Sequence, residues 1–246
     1  MKIERFRPSE TISLWTPTGY VSDSLTLYLD STISASYPGS GANWNDLSQG
    51  IQFVSSGSPI FSTVSGVPSF TFNGTQYWYN SASSSLVDLG GDCTLIMWVY
   101  HTSLAARKTI FEKAGTIYAS YQQELAVTWE VSQAYSYYSR ALPLYDAANV
   151  PGVINGSWTM VAIKMSTGRT SASRTGFYSI NGAPWTAEYS SRTDTALVSA
   201  GEIRIGTGYA GTVTNGSISV VMCYKKMLSD DEIFKNFSYF RTRFGV

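Results

Sequence analysis

The sequence predicts an all-β chain: a two-sheet antiparallel β-sandwich of the jelly-roll kind, with one short helix at the C-terminal end. Three observations predict it. Seven short runs rich in apolar, β-branched and aromatic residues lie between Ser24 and Tyr224, several alternating apolar with polar. Period-two alternation marks a strand with one buried face. Asn-Gly pairs punctuate the runs at Asn73-Gly74, Asn155-Gly156, Asn181-Gly182 and Asn215-Gly216. Such pairs tolerate the positive φ angles of tight turns. Many short strands separated by turn signals indicate a sandwich or barrel rather than alternating strands and helices.

The elements follow in order. Residues 1–24 carry Pro8, Pro17 and Gly19 and no sustained periodicity, so they are expected to form an extended N-terminal arm, with the domain spanning 25–246. Ser24–Asp30 places Leu25, Leu27 and Leu29 on one strand face, and Pro68–Phe72 does the same for Phe70 and Phe72. Cys93–Tyr100 reads as a strand buried on most sides. Trp158–Met165 alternates Trp158, Met160 and Ala162 against Thr159, Val161 and Ile163. Gly176–Ile180, Glu202–Gly206 and Ser217–Tyr224 complete the set. Ser-rich stretches at 55–65, 81–85 and 166–175 read as loops. Ser229-Asp-Asp-Glu232 has capping-box spacing, in which the Ser hydroxyl caps a free amide and the Glu reaches back. Asp230 and Asp231 suit the positive end of a helix dipole. Ile233, Phe237, Phe240 and Phe244 then form one apolar stripe.

Composition excludes several function classes. Of 246 residues only 14% are charged, against about 25% in an average globular protein, and 17 basic residues balance 17 acidic ones. That balance argues against phosphate-backbone binding, hence no nucleic-acid partner. Aromatics make up 14%, with 17 Tyr and 7 Trp, too many for a disordered chain. No run approaches 18 apolar residues, so no membrane span is expected. The opening Met1-Lys-Ile-Glu-Arg-Phe-Arg-Pro8 lacks the apolar core of a secretory signal. The sequons at Asn73, Asn155 and Asn215 are therefore read as turns; Asn236-Phe-Ser238 is a fourth sequon. Two cysteines and one histidine cannot form a Cys/His zinc site without carboxylates. Cys93 and Cys223 are read as buried thiols, with a bridge between them as the alternative.

Seven segments in order resemble one family. Leu27-Tyr-Leu-Asp30, followed by Ser36-Tyr-Pro-Gly-Ser-Gly-Ala-Asn-Trp-Asn-Asp-Leu-Ser48, is similar to the opening of phage and environmental-virus members of the concanavalin A-like (LamG-like) jelly-roll superfamily. Phe70–Tyr77, Thr94–Val99, Trp158–Val161, Tyr178–Gly182 and Ile203–Gly206 follow in the family's order. Gly216–Phe237 resembles its final strand, (R/K)-x-L-S-x-x-E-I turn and closing helix. The resemblance covers about residues 25–246; the region 101–150 is longer and richer in Tyr than the usual insert. It implies a concanavalin A-like fold. It also implies a non-enzymatic virion structural protein, a capsid-decorating or tail/fibre component in the virion, with other capsid or tail subunits as partners and a homo-oligomer as one option. A carbohydrate-binding adhesin for host-surface glycans is the alternative reading, and a glycoside hydrolase the third.

The residues bear on these readings unequally. Glycoside hydrolysis needs two carboxylates about 5–10 Å apart. Glu124 and Glu130 share a face of a regular strand, but six residues span roughly 20 Å, and Ala126 stands where laminarinase-type relatives carry Asp. His101, following a strand without a nucleophile-elbow motif, reads as a surface residue. Asp88, Asp92 and Asp194 in presumed loops read as solvated carboxylates. No cofactor or metal ligand is assigned, although the resemblance allows calcium at a sandwich edge. The Tyr-rich insert offers Trp129, Tyr135, Tyr137, Tyr138 and Tyr145 as a glycan- or protein-binding set, because aromatic rings give large amphipathic contact area. Tyr118 and Tyr121 precede this set, and Tyr135 and Tyr137 have core packing as their other reading. Lys2, Arg5 and Arg7 give the arm a basic character suited to docking on a particle.

Overall fold

The computed structural model describes residues 19–81, 86–87, 89, 91–102, 108–114, 123–129, 135–138, 155–165, 173–193, 201–208 and 214–246. In chain order the strands are β1 (Leu25–Asp30), β2 (Asn43–Asn45), β3 (Gln52–Ser56), β4 (Ile60–Val64), β5 (Val67–Asn73), β6 (Tyr77–Asn80), β7 (Cys93–His101) and β8 (Lys108–Ala114). They continue with β9 (Gln123–Trp129), β10 (Tyr135–Tyr138), β11 (Trp158–Met165), β12 (Ser173–Ile180), β13 (Thr186–Thr193), β14 (Ile203–Ile205) and β15 (Asn215–Tyr224). One helix, α1 (Asp230–Phe244), closes the chain.

Two antiparallel sheets form the sandwich. The first runs β13-β12-β11-β7-β15-β5-β4, and β1 also pairs with β15. The length of β15 allows this, because Asn215–Ile218 pair with β5 and Val220–Tyr224 with β1 along one edge. The second sheet runs β10-β9-β8-β14-β6-β3-β2. Their inner faces meet in one core, to which Leu27, Phe70, Phe72, Leu95, Met97, Val161 and Val221 come from the first sheet. Trp44, Phe53, Trp78, Phe111, Leu125, Val127, Ile203 and Ile205 come from the second.

The first sheet is buried on its outer face as well, which explains why β7 and β11 are apolar in both alternations. Ile96, Trp98, Trp158, Met160, Ala162 and Met222 form a second core under α1, with Ile233, Phe237, Phe240 and Phe244 as its lid. Trp98 stacks on Phe244 at a 4.0 Å centroid distance, and Trp158 meets the same ring edge-on at 5.0 Å. The predicted capping box is present: Glu232 N donates to Ser229 Oγ at 3.2 Å, and Ser229 N donates to Glu232 Oε2 at 3.0 Å. Such a cap is worth about 1 kcal/mol. Gly245 ends the helix at φ 70°, a left-handed conformation that glycine adopts without cost.

Residues at the end of the expected arm already belong to this second core. Tyr20 packs on Tyr239 and Phe240. Val21 is buried, and its N–H donates to Asn236 Oδ1 at 2.8 Å. Asn236 Nδ2 donates to Tyr224 Oη at 3.1 Å, and that hydroxyl donates to Val21 O at 2.9 Å. Lys226 adds an ion-pair hub, 2.7 Å from Asp23 and 2.6 Å from Glu232. Val246 packs against the same cluster, so Tyr20, Val21 and Val246 lie together on the α1 side. Lys2, Arg5 and Arg7 lie outside the described residues.

Several sequence expectations are corrected. Leu25 does not share a face with Leu27 and Leu29: it packs toward the α1 side, while they face the sandwich interior. A β-bulge explains this, since Leu25 opposes Tyr224 and Leu27 opposes Cys223, leaving Thr26 as the extra residue. Asn215-Gly216 is not a turn but the start of β15, where the missing Cβ lets the Tyr100 carbonyl approach the Gly216 backbone. The stretch 55–65 is largely strand; β4 and β5 form a tight hairpin whose turn is Ser65-Gly66, both at positive φ. His101 is fully buried as the last residue of β7, opposite Gly216, rather than at the surface. Asn236 is likewise buried with its amide bonded on both sides, so this sequon cannot accept a glycan in the folded chain.

Candidate functional site

With α1 covering one sheet, the outer face of the second sheet is the broad functional candidate. Its central strands alternate sharply. In β6 Trp78 points inward against Trp44, Tyr37 and Phe70, with its ring 4.8 Å from that of Phe70. The same alternation turns Tyr77 and Tyr79 outward, half-buried, with ring centroids 5.7 Å apart. In β14 Ile203 and Ile205 are buried in the core and Arg204 faces out between them.

Pairing registers assemble these residues into one row across the sheet. Asn43 opposes Val54, Val54 opposes Tyr79, and Tyr79 opposes Arg204. Arg204 opposes Glu112, Glu112 opposes Ala126, and Ala126 opposes Tyr138. Arg204 lies 5.5 Å from the Tyr77 ring centroid in cation–π geometry, and its Nε donates to Glu202 Oε1 at 2.5 Å. Burial works against the Arg204 charge, but the Glu202 hydrogen bond and the nearby Glu202, Tyr77 and Glu112 groups outweigh it, so its pKa is raised. Glu112 is almost wholly buried, roofed by Gly208. A Cβ at Gly208 would lie 2.7 Å from Glu112 Oε2 and from Thr109 Cγ2, so only glycine fits there. The accessible part of the row combines two rings tilted 50° to each other, a fixed guanidinium and the partly exposed Glu202 carboxylate, which suits hydrogen bonding to a hydroxylated ligand beside aromatic rings.

The residues proposed from sequence fall on and around this row. Trp129 ends β9 and opposes Tyr135, Tyr137 opposes the core residue Val127, and Tyr138 opposes Ala126 in register. Tyr118, Tyr121, Tyr145, Glu130, Asp88 and Asp194 lie outside the described residues. Glu124 sits on β9 and Asp92 is exposed before β7. Among the described residues no three His, Cys, Asp or Glu side chains cluster to hold a metal ion. Cys93 and Cys223 are both buried thiols in the interior. The sequence reading missed Tyr77, Tyr79, Arg204 and Glu112. The alternation Tyr77-Trp78-Tyr79 and the single arginine between two isoleucines were the signals available for the first three.

Comparison with known proteins agrees with this architecture. The family model described as the concanavalin A-like lectin/glucanases superfamily matches residues 72–234. The chain belongs to that superfamily. Among solved structures, this superfamily member is similar to Trypanosoma rangeli sialidase, at 15% identity and TM-score 0.64, over 89% of this chain and 33% of that one. It thus spans about a third of the length of the sialidase chains it matches. Domain 4 of the arabinanase AbnA from Geobacillus stearothermophilus, solved in complex with arabinotriose, matches at 14% identity and TM-score 0.60, over 86% of this chain and 97% of that domain. The receptor-binding domain of a botulinum neurotoxin, mosaic serotype C/D, matches at 13% identity and TM-score 0.58, over 87% and 50%. At these identities the likeness is one of fold. No curated protein sequence matches the chain.

Proposed function

We propose that this protein is a non-enzymatic, carbohydrate-binding display module, held by its α1 side and presenting the outer face of the β6–β14–β8 sheet to a glycan. The observation that carries the reading is the asymmetry of the two outer faces. One is sealed by four apolar side chains of α1. The other carries Tyr77, Tyr79 and Arg204 as partly exposed neighbours, with Glu112 buried behind them. The near full-length likeness to a domain solved with arabinotriose supports carbohydrate as the ligand class. A non-catalytic role is supported by Ala126 in the row, where an enzyme of the laminarinase type would place a carboxylate.

The setting we propose is a virion surface, as capsid decoration or tail component. The resemblance to phage and environmental-virus members supports it, and attachment through the α1 side, where Tyr20 and Val21 pack, would leave the aromatic row facing away from a particle. Binding of the purified chain to an array of neutral and acidic glycans tests the ligand reading. Tyr79→Ala should weaken any hit about tenfold, as loss of an aromatic anchor worth about 1.4 kcal/mol. An array without hits, or hits insensitive to Tyr79→Ala and Tyr77→Ala, overturns it. Co-sedimentation with particles at fixed stoichiometry tests the virion setting independently.

A further inference from the structure

We infer that the outer-face row selects uncharged oligosaccharides and rejects acidic ones such as sialylated or uronic-acid glycans; this rests on the carbohydrate-binding reading above and specifies its ligand. The argument is one of charge and geometry. A sugar carboxylate needs a cation whose hydrogen-bonding edge is available, most effectively a bidentate guanidinium. On the described part of this face the cation at the centre is Arg204, and it is already engaged by Glu202 at 2.5 Å. The side chains of this pair are 19% and 15% exposed, so the pair is partly desolvated and weakly screened. Across the next strand in register lies the buried Glu112, a second carboxyl beside the same arginine. Two carboxyl groups facing one guanidinium disfavour an incoming anion, since like charges brought together in a partly desolvated site repel.

The same arrangement suits a neutral polyol. The guanidinium offers donors, the partly exposed Glu202 carboxylate offers acceptors, and a pyranose or furanose hydroxyl is both donor and acceptor. Tyr77 and Tyr79 supply two ring surfaces with centroids 5.7 Å apart and planes 50° apart, about the reach of one sugar ring. Past Arg204 the row is buried at Glu112 and Ala126, which are 1% and 2% exposed, so the part a sugar can reach is Tyr77, Tyr79 and the Arg204–Glu202 pair.

Titration calorimetry of the intact protein tests this with named probes: arabinotriose, laminaritriose and laminaritetraose as neutral sugars, and 3′-sialyllactose and trigalacturonate as acidic ones, at low and physiological salt. The expected result is at least tenfold tighter binding of a neutral probe than of either acidic one. Glu202→Gln should release the Arg204 edge, narrowing or reversing that ratio, with the gain for acidic probes fading in salt. Arg204→Gln should weaken neutral binding without creating acidic binding; unchanged melting temperatures establish that both variants fold. Wild-type preference for an acidic probe, or a Glu202→Gln protein with unaltered selectivity, overturns the inference while leaving carbohydrate binding intact. Absence of binding to every probe, with an empty glycan array, overturns the carbohydrate reading itself.

Discussion

Replacing Asn236 with Ala probes how the N-terminal segment is fastened to the sandwich. Asn236 is fully buried. Its Oδ1 is the acceptor for the Val21 N–H at 2.8 Å, and its Nδ2 donates to Tyr224 Oη at 3.1 Å. Truncation to Ala leaves the Val21 amide without its acceptor, which costs about 1–3 kcal/mol for a buried donor. The vacated side-chain volume adds about 1 kcal/mol. Tyr224 keeps its bond to Val21 O, at 2.9 Å, so that hydroxyl contributes little to the loss. The total is about 2–4 kcal/mol, unless residues 19–24 peel away first and cap the cost at their own opening free energy. Urea denaturation reads the global value, and hydrogen exchange at the Val21 amide reads the local one. The expected result is loss of Val21 protection together with a lower urea midpoint. Asn236→Asp keeps the Oδ1 acceptor but removes the donor to Tyr224, so it should be more stable near pH 4, where the buried carboxyl is neutral, than at pH 7. An Asn236→Ala protein within 0.5 kcal/mol of wild type, with Val21 still protected, refutes the reasoning.

Three further outcomes follow from the same structure. Phe244→Ala removes the ring stacked on Trp98 at 4.0 Å and should cost about 3 kcal/mol, or about 6–12 °C in melting temperature by differential scanning calorimetry, with glycan binding unchanged. The Lys226 hub should give an acid-dependent step. The Lys226 hydrogen bond lowers the Asp23 pKa. Glu232 is also lowered, because its bonds to Lys226 and the Ser229 amide outweigh burial. Depressed carboxylates stabilise the fold above their ordinary range and lose that contribution as pH falls below about 4. Lys226→Met should therefore flatten the acid limb of stability against pH, as followed by circular dichroism. Gly182→Ala should destabilise by about 2–4 kcal/mol in urea titration: Gly182 is held at φ 70°, and a Cβ there would meet the Phe237 side chain at 2.5 Å.

How much of this was legible in the sequence depends on the range of the interaction. Strand alternation, the Ser229–Glu232 cap and the Ile233–Phe244 stripe are set by backbone periods of two and 3.6 residues, so they could be read within a few positions. So could the apolar character of β7 and β11 on both faces. Which face meets the other sheet and which meets α1 was not legible, because that choice depends on elements far along the chain. A single bulge at Thr26 was enough to move Leu25 across the sheet. Glycine at 216 carried a turn signal, yet its missing side chain serves strand packing instead. The Asn236 sequon, an exposed-loop motif by its letters, became a buried strut once Val21 and Tyr224 closed around it. The candidate site was the least legible part. Tyr79, Arg204, Glu112 and Ala126 lie far apart in the chain and become neighbours only through the register of β6, β14, β8 and β9. Local sequence thus determined which elements form and where the helix begins. Tertiary pairing decided which side chains share a face, because register is fixed by the burial of the whole sheet and not by any one strand.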